Sequence, residues 1–196
     1  KADISAGPVN FMLGIANFTD QSTATTSVKT ILAQISGTFA NEKVSYYLNY
    51  VGFGGADDGT NPSGLKGLNQ VDLVVSGSVS DKFSLAYNGT VQSRKQVSGS
   101  ADPDGSWWGS ALYFNYDPSS TIGLTFRTEY IGDKKGVAFG SENIFANTLS
   151  LNYKVGPLVL IPELRFESAK SNIFLDKDFA PKKSTATALV AAVLAF

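Results

Sequence analysis

Neither cysteine nor histidine occurs among the 196 residues. Without cysteine there is no disulfide framework, no thiol nucleophile and no thiolate zinc site. Without histidine, Ser-His-Asp triads, histidine metal sites and histidine general bases are excluded. An excess of one charge sign is lacking too: 16 Lys+Arg stand against 17 Asp+Glu, so no basic surface for nucleic acid is implied. Long apolar runs are also missing. The last stretch, Ser184 to Phe196, is uncharged and largely apolar but falls short of the ~18 residues of a helical membrane span. No signal peptide opens the chain at Lys1; one is expected to have been removed or to lie upstream.

What the chain does contain is period-2 alternation from end to end, within a length that suits one domain over 1–196. Ten segments carry it, roughly 7–17, 28–40, 43–53, 68–80, 82–94, 106–116, 121–132, 143–154, 156–168 and 183–196. Their length is that of a tilted strand crossing a bilayer core. One parity of each is apolar, as in Val9, Phe11, Leu13 and Ile15, or Leu158, Leu160, Pro162, Leu164 and Phe166. The other is small, polar or charged, as in Ser84, Asn88, Thr90, Gln92 and Arg94. Alternate residues of a strand lie on opposite faces, so each strand has one greasy and one wet face.

The connections alternate in length. Ala40–Glu42, Ser80–Lys82, Asp117–Ser120 and Lys154–Gly156 read as tight turns, whereas 18–27, 54–67, 95–105, 133–142 and 169–182 are long and polar. Outer-membrane barrels join their strands by short periplasmic turns and longer extracellular loops. Aromatic residues gather at the strand ends, with Phe11, Phe39, Phe114, Tyr116, Tyr153 and Phe196 near the short turns and Tyr130 and Phe166 near the long loops. Two aromatic girdles around an aliphatic band suit the two membrane interfaces. The expectation is an all-β, transmembrane, antiparallel up-and-down barrel of about ten strands in the bacterial outer membrane. A secreted β-sandwich also alternates, but it gives no reason for aromatics to sort by strand end. The last segment is the weakest as a strand, because Ala186, Leu189, Val190, Val193 and Leu194 also fit a helical stripe.

Three stretches carry a family resemblance: GPVNFMLGIANF in the first segment, GLTFRTEYIGDKKG in the seventh, and ELRFESAKSNIFLDKDFAPKKSTATALVAAVLAF at the end. They resemble the OmpL-like β-barrel porin family, at Gly14 and Asn17, at Arg127, Glu129 and Tyr130, and at Arg165, Glu167 and Asp176. The resemblance implies a porin-like barrel and outer-membrane assembly machinery that recognises a terminal aromatic such as Phe196. Members of that family usually carry further strands ahead of the GPVNFMLG strand. The chain is therefore expected to be either the C-terminal part of a longer barrel or a short relative.

The charges of the wet parity are the candidate functional set: Asp72, Arg94, Arg127, Glu129, Lys154, Glu163, Arg165 and Glu167. Charge removed from water is costly, so mutual pairing that braces a filled interior is one reading. A polar constriction that selects solutes is the other. Barrels of about 8 strands are filled by side chains and those of 16 to 18 leave an aqueous channel, which favours a narrow conduit over a wide pore. Glu163 could be paired with Glu167 or Glu129 as an acid and base, but Arg127 and Arg165 lie between them and ion pairing explains them better. No enzyme activity, cofactor or metal is expected. The acidic runs at 57–61 and 102–105 read as Asp, Asn and Gly turns rather than calcium loops. Expected partners are the lipid bilayer, lipopolysaccharide phosphates facing Lys134, Lys135, Lys182 and Lys183, and a surface protein at the long loops. The alternative function is a plugged barrel whose loops bind that surface partner.

Overall fold

In a computed structural model of the chain, residues 1–17, 22–23, 26–55, 64–140 and 142–194 are described. Phe196 and the 57–61 run therefore lie outside the described residues. Among the described residues thirteen strands form and no helix does: β1 Ala2–Ala6, β2 Val9–Asn17, β3 Lys29–Phe39, β4 Val44–Phe53, β5 Leu65–Ser78, β6 Phe83–Gln96, β7 Gly105–Tyr116, β8 Ile122–Gly132, β9 Asn143–Val155, β10 Leu158–Ala169, β11 Phe174–Leu175, β12 Pro181–Lys182 and β13 Ser184–Leu194. All ten expected segments are strands, including the last, whose run of β-compatible Thr, Val and Leu pairs along β10 from Ser168↔Ser184 to Leu158↔Leu194.

Two corrections concern number and order. The main sheet has eleven strands, in the order β1 to β10 followed by β13, and β11 and β12 form a separate pair. The order is linear: among the described residues no pairing joins β1 to β13, where ten strands closed on themselves are expected from sequence. The extra strand is β1, which turns back onto β2 and occupies the edge otherwise open to the last strand. The hairpin is made at Gly7-Pro8, with Ala6 opposite Val9. Gly7 has φ 60, the left-handed value that the first central position of this two-residue turn requires. The β9–β10 hairpin repeats the device at Gly156-Pro157, with φ 58 at Gly156 and Val155 opposite Leu158, so this turn begins two residues after the start of the expected one and shares Gly156 with it. With these turns the short-long alternation extends over every connection of the sheet.

Pro162 sits inside β10. It has no N–H to donate, and the β9 ladder skips 161 and 162 while the β13 ladder continues through Pro162↔Val190.

The chain divides into two compact units. The first comprises Lys1–Val75, Asn88–Gly109 and Asp133–Ser141; the second comprises Ser76–Tyr87, Ser110–Gly132 and Glu142–Phe196. In the first unit the register aligns Phe11, Ile35 and Leu48 across β2, β3 and β4, with Ile4 of β1 beside Phe11. In the second it aligns Phe126 of β8 with Leu149 of β9 and Leu164 of β10, and Leu124 with Leu151. These apolar rows face outward: Leu13, Ile15, Leu149, Leu164 and Val190 are 50–71% exposed. The girdle residues Phe11, Phe39, Phe114, Tyr116, Tyr153 and Phe166 are exposed on the same parity, and Tyr130 is half-buried.

Conversely, buried hydrophobic residues are few among the described residues: Phe53, Leu68, Ala111, Val137 and Ala146. Phe53 and Leu68 form a small cluster with Val28, Val51 and Leu65. Thr30, Ser36, Gln92, Asp133, Glu142, Thr148 and Ser150 are buried instead.

Candidate functional site

The wet face of each unit is a hydrogen-bonded surface of its own. In the second unit the register sets Arg127 of β8, Thr148 of β9 and Arg165 of β10 in one row, and Glu129, Ala146 and Glu167 in the next. Rows along one face of a sheet lie about 5–7 Å apart, so each arginine reaches the carboxylates of the adjoining row. Arg165 bonds both Glu129 and Glu167, the latter at 3.0 Å, and donates a second Nη to Thr148 Oγ1 at 3.1 Å. Arg127 Nε lies 3.0 Å from Glu129 Oε2, an ionic contact without the alignment of a hydrogen bond. These four side chains are 18–31% exposed, so their attraction is only partly screened. One row nearer the short turns, Ser150 Oγ donates to Glu163 Oε2 at 2.7 Å.

The remaining sequence-predicted charges do not join this cluster. Lys154 stands opposite Asp117 at 3.7 Å, and both are about half exposed. Asp72 and Arg94 belong to the first unit. There Asp72 accepts from Asn49 at 3.0 Å and from Asn88 and Thr90 at 2.7 Å, and Asn49 in turn accepts from Gln34 at 2.7 Å. The carboxylate is held by neutral donors, not by a cation. Beyond it, Gln92 Nε2 donates to Gln70 Oε1 at 2.5 Å, while Gln92 Oε1 accepts from Trp107 Nε1 at 3.0 Å and from Arg94 Nε. This Asn, Gln and Thr ladder is absent from the charge-based site prediction. Its signal is uncharged polar residues recurring on the wet parity of neighbouring strands.

At the loop sites the carboxylates accept backbone amides. Asp104 of the 102–105 run accepts Gln96 N at 2.7 Å, and no cluster of metal-ligating residues occurs among the described residues. Lys182 pairs with Asp176 at 3.3 Å, and Asp176 accepts the amides of Asp178 and Ala180 at 2.9 Å.

With this geometry in place, the chain was compared with known proteins. It matches the family "Putative beta-barrel porin-2, OmpL-like" over residues 1–196. The chain belongs to that OmpL-like porin family. No curated protein and no solved structure matched it.

In the first unit of this family member the loop after β8 is organised around one acid. Asp133 is wholly buried, and its carboxylate accepts the amides of Val137 at 2.9 Å, Ala138 at 2.8 Å and Phe139 at 2.5 Å. Burial alone would push this carboxyl up; the amides of Phe139, Ala138, Val137 and Gly136 outweigh it and hold the group below the ordinary carboxylate range. A depressed acid stabilises its loop while ionised, and that contribution is lost on protonation. The contribution is therefore complete above about pH 4 and lost as pH falls below it. Amide hydrogen exchange at Val137, Ala138 and Phe139 should keep full protection at neutral pH and lose it selectively below about pH 4. Protection that is unchanged down to the acid limit of the fold would show that the carboxylate does not hold the loop.

Proposed function

We propose that this chain forms a transmembrane barrel, or the C-terminal part of one, in a bacterial outer membrane, and that its wet face lines a narrow polar conduit for small solutes or ions. One observation carries this reading: the sheet is inside out. Apolar rows such as Phe126, Leu149 and Leu164 are exposed, while Thr148, Ser150 and the Arg127–Arg165 cluster on the opposite face are buried or half-buried. An apolar surface of this extent is unsuited to water and suited to hydrocarbon, provided every backbone group has a partner. The edges of β1 and β13 must then be satisfied as well, so barrel closure is part of the proposal. Membership of a porin family supports the same reading.

The candidate charges comprise four cations, Arg94, Arg127, Lys154 and Arg165, and four anions, Asp72, Glu129, Glu163 and Glu167. Such a lining acts on solutes through local pairs rather than through one field sign. No side chain here supplies the thiol or imidazole of common catalytic sites, and a non-enzymatic role is part of the proposal. Planar-bilayer recording tests it. Discrete openings are expected, and Arg127→Ala or Arg165→Ala should shift the reversal potential in a salt gradient toward cation preference, because carboxylates lose their counter-charge. A silent bilayer with correctly folded protein favours the plugged interaction barrel and overturns the conduit.

A further inference from the structure

The β8–β9 loop does not extend away from the strands. Its acidic residue, Asp133, gathers three backbone amides as described above, and Gly136 N donates to Asp133 O at 3.2 Å. The loop is thus closed on itself before any contact with a strand is counted. It is then fastened to the wet face of β6 and β7. Arg94, two residues along β6 from Gln92 on the parity of Asn88 and Thr90, donates Nη1 to the Val137 carbonyl at 2.5 Å. The Phe139 ring meets Trp107 edge to face at 5.2 Å, and Trp107 is itself held by Gln92. Trp108, on the opposite parity, is exposed. Lys135 Nζ donates to Asp104 O at 3.4 Å. Val137 is buried against Gly105, where an added Cβ would lie 2.9 Å from Val137 Cγ1 and 2.8 Å from Lys135 Cδ. A side chain at 105 would have to displace those of Lys135 and Val137, and glycine allows the loop to lie flat on the sheet.

We propose that residues 133–140 form a fixed strap across the wet face of β6 and β7 that sets the narrowest passage of the conduit. The inference rests on the conduit reading for its consequence, but not for its geometry. Four kinds of contact converge on one short segment: an anion cage, a cation-to-carbonyl bond, an aromatic pair and a glycine-cleared packing site. A surface loop needs none of them. Arg94, whose charge a solute would otherwise meet, has its guanidinium engaged by the strap carbonyl and Gln92. Lys134 of the strap is exposed, whereas Lys135 reaches back to the Asp104 carbonyl.

The test uses the absence of cysteine. In the full chain, the pair Gly105→Cys and Val137→Cys should oxidise to a disulfide, because a Cβ built at 105 meets the Val137 side chain and a bridging sulfur would stand where Val137 Cγ1 does. Replacing residues 134–139 by two glycines should raise unitary conductance at least roughly twofold and admit larger sugars in vesicle-swelling assays, because the segment removed is the one that covers the wet face of β6 and β7. Arg94→Ala, which loosens the strap without shortening it, should raise the current noise and is the variant to use if the shortened loop does not fold. A conducting parent whose cysteine pair stays reduced under oxidant overturns the strap. So does a shortened variant that folds and conducts like the parent. A silent parent fails the conduit reading instead, and the cysteine link then reports on the strap's position alone.

Discussion

Leu149→Arg should lower the unfolding free energy in phospholipid vesicles by about 2–4 kcal/mol, the cost of an arginine on the lipid face near the bilayer midplane. Leu149 lies at the middle of β9, is 50% exposed, and stands in register with Phe126 and Leu164. The size of the effect separates solvents. On a water-facing surface, exchanging a half-exposed leucine for arginine changes stability by no more than about 0.5 kcal/mol. Reversible denaturant unfolding from vesicles, followed by the fluorescence of the two tryptophans, reads the difference. A loss within about 0.5 kcal/mol would mean that the exposed row faces water or another protein, and the membrane reading would fall with it.

Arg165→Ala is expected to cost about 2–3 kcal/mol, below the 3–5 kcal/mol of a fully buried pair, because the groups concerned are about a fifth exposed. The cost comes less from a lost attraction than from what remains. Glu129 and Glu167 lose their shared donor, and only Glu129 keeps a cation, Arg127. Arg165→Met combined with Glu129→Gln and Glu167→Gln should recover most of the loss, since removing the whole charged group leaves no uncompensated carboxylate. If Arg165→Ala instead costs almost nothing, water screens the cluster as it does a surface pair, and the conduit at that level is wide.

Much of this was legible because a strand with oil on one side and water on the other writes its period into the chain. Val9, Phe11, Leu13 and Ile15 mark the exposed face of β2 without any structure, and the polar loops mark its end. β1 was missed because Ala2–Ala6 is only five residues, shorter than a membrane-crossing strand and with Asp3 and Ser5 on one parity. The β11–β12 pair was missed for the same reason, as two-residue strands carry no period. The arginine-carboxylate cluster was legible because charges on one parity of nearby strands must find each other. The strap was not. Arg94 bonds a backbone carbonyl 43 residues away, and a carbonyl has no residue type to recognise. Asp133 looks like any loop aspartate until its three amides are seen.

Among the described residues β13 pairs with a strand on one side only, and the other side has one further consequence. Ser184–Leu194 contains no charged residue and no proline, and its outward side chains include Ala186, Ala188 and Val190. Protein edges usually carry lysine, proline or a bulge that discourages pairing with a stranger. Here nothing does, so copies of the chain stranded in water would add to one another along this margin and grow into cross-β fibrils. On the proposed membrane reading, a partner that covers this stretch in water until lipid and a neighbouring strand take its place would prevent that addition.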